Sequence, residues 1–178
     1  RMTTAGGLTV GTSASGSLVV DGITDGSSDA VATMTLVATK HTQLITFKTG
    51  ASSFNKGIVL QAMGGVVLSE SVTTKAQPVL IRTGTGTLTV QSTKTLSTTG
   101  QLLTITADDL DFKGAVSSGT AAMHVLSTSA DLTIALGATA KDMQLTDSEL
   151  AFISTVPGLT IGDSSNGSLK SRSKSSAI

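Results

Sequence analysis

Two histidines, His41 and His124, are the only imidazoles in the chain, and neither lies in a metal-ligand spacing. A structural or catalytic zinc needs several His, Cys or carboxylate ligands converging on one point. Cysteine is absent, which excludes disulfides and thiolate sites and leaves the compartment open. His124 sits between the apolar residues Met123 and Val125 and is expected to point outward from a strand. A Ser-His-Asp centre would call for a strand, a Gly-x-Ser-x-Gly turn and a helix, and no segment has that form. Two acidic groups, Asp21/Asp25/Asp29 and Asp108/Asp109/Asp111, could offer oxygens to calcium. Neither follows the EF-hand loop or the Gly-rich nonapeptide calcium repeat, and Asp beside Gly and Ser is ordinary turn chemistry. Gly84-Thr85-Gly86 follows an apolar segment as a phosphate loop would, but it has no Lys-Ser/Thr pair and no helix after it. The Thr-x-Thr units Thr33/Thr35, Thr87/Thr89 and Thr104/Thr106 could order water on a flat face. They do not recur at one constant step, so solvent-facing β-branched residues account for them. Asn166-Gly167-Ser168 fits an N-glycosylation acceptor and also a tight turn. These residues point to no catalytic group, no metal and no cofactor.

The elements that carry them come from composition and spacing. The chain has 178 residues, enough for one domain with a sizeable core. Charged residues are 13% and aromatics 2%, while Ser and Thr together make about 30%. A pocket-bearing enzyme needs more charge and more rings. Stacked short strands need small turn residues and β-branched residues. The formal net charge is zero, so no global field attracts nucleic acid. No window approaches the ~20 apolar residues of a membrane-spanning helix, and no signal peptide is visible. An opening Arg1 fits a processed or excised segment.

Apolar-x-apolar triplets form two alternating series. One begins at Leu8, Met34, Ile58, Val79, Leu103, Met123, Met143 and Leu159. The other begins at Leu18, Leu44, Val66, Leu88, Leu110, Leu132, Leu150 and Leu169. In the middle the step is strict: Val66, Leu88, Leu110 and Leu132 fall 22 residues apart. Their partners Leu68, Val90, Phe112 and Ile134 keep the step and are all apolar, whereas the residues between them, Val67, Thr89, Asp111 and Thr133, vary. Ile45 and Phe47 stand one residue out of step, as a turn of different length would produce. Two side chains in and one out is a strand with period two. One such rung cannot bury its own apolar face, and stacked rungs can. The expected fold is all-β: a single-stranded parallel β-helix, or β-solenoid, of about eight rungs with about 22 residues per rung, over residues 1–169. Gly64-Gly65 reads as a tight turn. Thr146-Asp147-Ser148-Glu149 has capping-box form and predicts the one helical turn, placed at a rung corner.

A longer repeat lies above the rungs. Gly7 to Leu18 resembles Gly158 to Leu169, with eight of twelve positions identical. The chain thus begins and ends on matching rungs, Leu8, Val10 and Leu18 against Leu159, Ile161 and Leu169. Residues 170–178 are a basic, Ser-rich tail or a linker to a neighbouring repeat.

Leu103-Thr104-Ile105-Thr106-Ala107-Asp108-Asp109-Leu110-Asp111-Phe112, then Leu145-Thr146-Asp147-Ser148-Glu149-Leu150, then Gly158-Leu159-Thr160-Ile161-Gly162 resemble the repeat units of filamentous-haemagglutinin-like proteins. The resemblance runs through most of residues 100–169 and more loosely elsewhere. It implies a right-handed β-helix at the cell surface or outside the cell, with an adhesive or structural role and no catalytic residues. Members of that family are very long, and this chain holds about one long repeat.

Three function classes follow. The favoured one is a structural, non-enzymatic subunit or segment of an extracellular fibre or adhesin. Its partners would be copies of itself stacked head to tail, or adjacent repeats, with cell-surface glycans as a further partner class. The second is a carbohydrate- or ice-binding solenoid, which needs one like residue per rung on an outward column. The third is a polysaccharide-acting β-helix enzyme, which the scattered charges and missing aromatics disfavour.

Overall fold

The computed structural model describes residues 6–162 and 170–171. The chain winds as a parallel β-solenoid whose coils place a strand on each of three faces. The first coil holds β1 (Leu8–Thr12), β2 (Leu18–Val20) and a short helix, α1 (Asp25–Ser28), on the third face. The second holds β3 (Met34–Ala38), β4 (Leu44–Phe47) and β5 (Ser52–Phe54). The third holds β6 (Ile58–Ala62), β7 (Gly65–Leu68) and β8 (Val72–Thr74), and the fourth β9 (Val79–Arg82), β10 (Thr87–Val90) and β11 (Thr95–Ser97). The fifth holds β12 (Leu103–Thr106), β13 (Asp109–Phe112) and β14 (Ala115–Gly119). The sixth runs through β15 (Met123–Leu126), β16 (Ile134–Leu136), β17 (Met143–Leu145), the helix α2 (Asp147–Ala151) and β18 (Ile153–Thr155). β19 (Leu159–Ile161) and β20 (Lys170–Ser171) follow.

Every strand pairing is parallel. The first face is a seven-stranded sheet in the order β1-β3-β6-β9-β12-β15-β19, and the other two main sheets have five strands each. That makes about five full turns at about 22 residues per turn, where the triplet count predicted about eight rungs. Part of the surplus came from the sixth coil. Met143 and Leu150 have the spacing of rung starts, yet Met143 pairs with Ile134 and Leu150 lies in α2. The 22-residue step also ends there. Val66, Leu88 and Leu110 stack in register, but Ile134 lies beside Met143 and not beside Phe112. The inserted β17 packs against β13, with β16 and then β20 beyond it, so the later strand lies beneath the earlier one. Lys170–Ser171 pairs with Ala135–Leu136, so the ladder reaches into the segment read as a tail.

The core is built from the alternation. Ile45, Val66, Leu88 and Leu110 form one inward column of the second sheet, and Phe47, Leu68, Val90 and Phe112 form the other. All eight are buried. Leu132 and Ile134 are buried as well, although they leave the column. The third sheet has no counterpart in the triplet series. Its strands point one apolar residue and one hydroxyl inward: Val72 with Thr74, Leu96 with Thr98, Val116 with Ser118. Two of these hydroxyls, those of Thr98 and Ser118, bond at the corners. Thr98 donates to the Gln101 carbonyl, and Ser118 to the Ala121 carbonyl at 2.6 Å. At another corner Thr83 does the same to Gly86 at 2.7 Å. Each closes a turn with a carbonyl three residues on, which satisfies a polar atom that would otherwise be costly to bury.

Both helices are capped. In α2, Thr146 Oγ1 accepts from the Glu149 N–H at 3.2 Å, and Glu149 Oε2 accepts from the Thr146 N–H at 2.9 Å. α1 is a correction, since only the α2 segment reads as helical. Thr24 and Ser27 form a capping box there too, with Ser in the position where the sequence signature calls for Glu or Gln.

Candidate functional site

The two ends of the solenoid are the first site built by the fold. β1 and β19 are the outer strands of the seven-stranded sheet, so each has one edge without a strand partner among the described residues. Leu8 pairs inward with Met34, and Leu159 with Met123. Among the described residues no further strand of this sheet lies beyond them. Val10 is 40% exposed, while Leu60 and Ile81 farther along the same column are 1% and 0%. Leu8, Leu18, Leu159 and Ile161 are half-buried. The backbone repeats as the side chains do. Gly7 precedes β1 and Gly11 lies within it, at φ +93° and +92°, and Gly158 and Gly162 bracket β19 at +145° and +84°. These angles are open to glycine and strained for other residues. The two end strands are thus alike in sequence, and in each the apolar triplet lies between two glycines at positive φ. Leu169, the last of the matching residues, and Asn166, the candidate glycosylation position, lie outside the described residues.

The acidic clusters are held in turns and ion pairs. Asp21 accepts from the Gly50 N–H at 2.9 Å, and Asp25 pairs with Lys75 at 2.8 Å. Asp108 accepts from the Thr128 and Ser129 N–H groups at 2.9 and 2.8 Å, and from the Ser129 hydroxyl. Asp109 accepts from Thr87 at 3.3 Å, and Asp111 pairs with Lys113 at 2.7 Å. Among the described residues no group of three or more His, Asp or Glu is placed to hold a metal ion. His41 lies in an exposed turn, and His124 stands half-buried on β15 between Thr104 and Thr160 of the neighbouring strands. Gly84-Thr85-Gly86 closes a corner turn, with the Gly86 N–H on the Thr83 carbonyl at 3.0 Å.

The lateral faces differ from one another. On the second sheet the outward column Val67, Thr89, Asp111 is mixed, and Thr133 does not join it. On the first sheet the Thr-x-Thr units are interrupted by Val59, Leu80 and His124. All five strands of the third sheet carry an outward hydroxyl: Ser53, Thr73, Ser97, Ser117 and Ser154 stand in register. That column was missed in the sequence because the third face has no apolar triplet to mark it. The pattern apolar-Ser/Thr-Ser/Thr, as in Val72-Thr73-Thr74 and Leu96-Ser97-Thr98, would have revealed it.

The fold therefore defines the class: a parallel β-solenoid. Comparison of the chain with protein-family models, with curated proteins and with solved structures gives no match. Among the described residues no helix is long and apolar enough to cross a membrane.

Proposed function

We propose that this chain is a structural segment of an extracellular or cell-surface fibre or adhesin, lengthened by stacking head to tail on copies of itself or on adjacent repeats. The supporting observation is the pair of matching end strands, Leu8-Thr9-Val10 and Leu159-Thr160-Ile161, each with one edge unpaired among the described residues and framed by two glycines at positive φ. A strand edge with unpaired N–H and C=O groups is a template for another strand. A contact between unlike ends that does not close on itself makes a filament. Catalysis has no part in this reading, and the resemblance to filamentous-haemagglutinin-like repeats agrees with it. Electron microscopy and light scattering of the purified chain over a wide concentration range test it. Linear, concentration-dependent particles with the width of one solenoid are expected. Uniform monomers at the highest concentration would remove the self-assembly reading.

The second reading is a surface that orders water. It is favoured by the hydroxyl column Ser53, Thr73, Ser97, Ser117 and Ser154, repeated at the roughly 4.8 Å strand spacing. An ice-recrystallisation assay decides it: unaltered crystal growth ends the idea.

A further inference from the structure

A groove of about 230 Å³ runs along the corner between the first and second sheets. Successive coils line it: Thr39 from the second, Gln61 and Met63 from the third, Arg82 and Gly84 from the fourth, Thr106 from the fifth and Thr128 from the sixth. Five coils at the strand spacing span roughly 19 Å along the axis. We propose that this groove binds an extended glycan through the carboxylate of an acidic sugar, with Arg82 as the carboxylate's partner.

Arg82 is exposed, and among the described residues no carboxylate pairs with it. Asp108, on the next coil, already accepts three hydrogen bonds from Thr128 and Ser129. A planar guanidinium on the rim of a groove matches a carboxylate through two parallel hydrogen bonds. The residues paired with Arg82 in the ladder are Gln61 and Thr106, one on each side. An amide and a hydroxyl both donate and accept, which suits sugar hydroxyls. The opening is set by backbone. Gly84 lies at φ +58°, and a Cβ there would come 2.9 Å from Met63 Cα and 2.7 Å from its sulfur. Met63, 37% exposed, offers the groove an apolar surface for a sugar face. One guanidinium in five coils is a low charge density. It suits an uncrowded carboxylate and not a phosphate-dense polymer, whose binding needs many cations. The coil step is of the same order as one sugar in an extended glycan, so hydroxyl-bearing side chains can meet successive units.

This inference is independent of end-to-end stacking. Its test is calorimetric and NMR titration of the whole chain with tetragalacturonate, its methyl ester, free galacturonate and poly-glutamate. Tetragalacturonate is expected to bind and to shift the amides of Gln61, Arg82 and Thr106. Affinity should fall at least tenfold in Arg82→Gln, whose fold is checked by circular dichroism, and by a similar factor for the ester on the native chain. Free galacturonate should bind more weakly than the tetramer, because it meets one coil step only. No binding of the tetramer, equal binding in Arg82→Gln, or poly-glutamate binding as tightly as the uronate would overturn the proposal.

Discussion

Lys94 donates to both carboxylate oxygens of Glu70, each at 2.9 Å, across one coil of the solenoid. The two side chains are 28% and 25% exposed, so water screens the pair only in part. Lys94 also anchors the next coil, since its carbonyl accepts from the Ala115 N–H at 2.9 Å. A double-mutant cycle on Lys94→Met and Glu70→Gln should give a coupling of about 1 kcal/mol, at the upper end for surface pairs. Denaturant melts at low and high salt check it, and the coupling should shrink with salt.

Thr74 and Thr98 occupy the same inward column of the third sheet and should respond with opposite sign. The Thr98 hydroxyl donates to the Gln101 carbonyl, whereas the buried Thr74 hydroxyl has no partner. Thr74→Val keeps the shape and removes an unsatisfied polar atom, so it should stabilise by about 1 kcal/mol. Thr98→Val strands the Gln101 carbonyl and should destabilise by a similar ~1 kcal/mol. Thermal melts of both variants decide the signs.

Gly57 is enclosed by backbone from the coil above. A Cβ there would lie 2.0 Å from the Pro78 carbonyl oxygen and 2.6 Å from that of Gln77. Gly57→Ala should cost about 3 kcal/mol or more, because two coils must separate to admit it. Gly26, in α1, has nothing within 4 Å of that position. Gly26→Ala should be neutral or stabilising by up to about 1 kcal/mol. Urea titrations of the two variants measure the contrast.

Glu149 links α2 to the sheet beneath it. One carboxylate oxygen closes the capping box on Thr146, and the other accepts from the Phe112 N–H of β13 at 3.4 Å. Glu149→Ala should cost about 1–2 kcal/mol, as for loss of a cap. Glu149→Gln should cost less, since its amide oxygen can still accept one bond. Hydrogen exchange at the Phe112 amide should accelerate in the Ala variant, and unchanged exchange would show that the helix does not protect that edge.

Val10 tests the proposed stacking at the first strand. At 40% exposure it is more open to water than its inward neighbours along the column, Leu36 at 4% and Leu60 at 1%. Val10→Asp should abolish end-to-end growth in light scattering and lower stability by about 1 kcal/mol, the typical cost of a point change. Ser53→Asp, on the lateral face, should leave growth intact.

How much was legible follows from which residues set each feature. Two of the three faces were visible because Leu88/Val90 and Leu103/Ile105 carry both inward residues as apolar side chains. The third face was hidden because Val72/Thr74 and Leu96/Thr98 point a hydroxyl into the core, and local periodicity cannot tell a buried Thr from a solvated one. The α2 turn was legible through Thr146 and Glu149, whereas α1 was not, because Ser27 does the work usually given to Glu. The candidate end strands were legible as a repeat of Gly7–Gly11 in Gly158–Gly162. The groove was not, since Thr39, Gln61, Arg82 and Thr128 share no motif.

By itself, the sequence of this chain determined that short strands with two inward apolar residues recur at a nearly constant step. Both the strand period and the coil step are properties of neighbouring residues, and they leave stacking as the way to bury the apolar faces. The tertiary structure alone decided which residue meets which across a coil. It set Ile134 beside Met143 and not Phe112, aligned five hydroxyls on the third face, and brought Arg82 between Gln61 and Thr106. Turn lengths vary from coil to coil, and each added or missing residue shifts the partner on the next coil, so register is a property of the assembled stack.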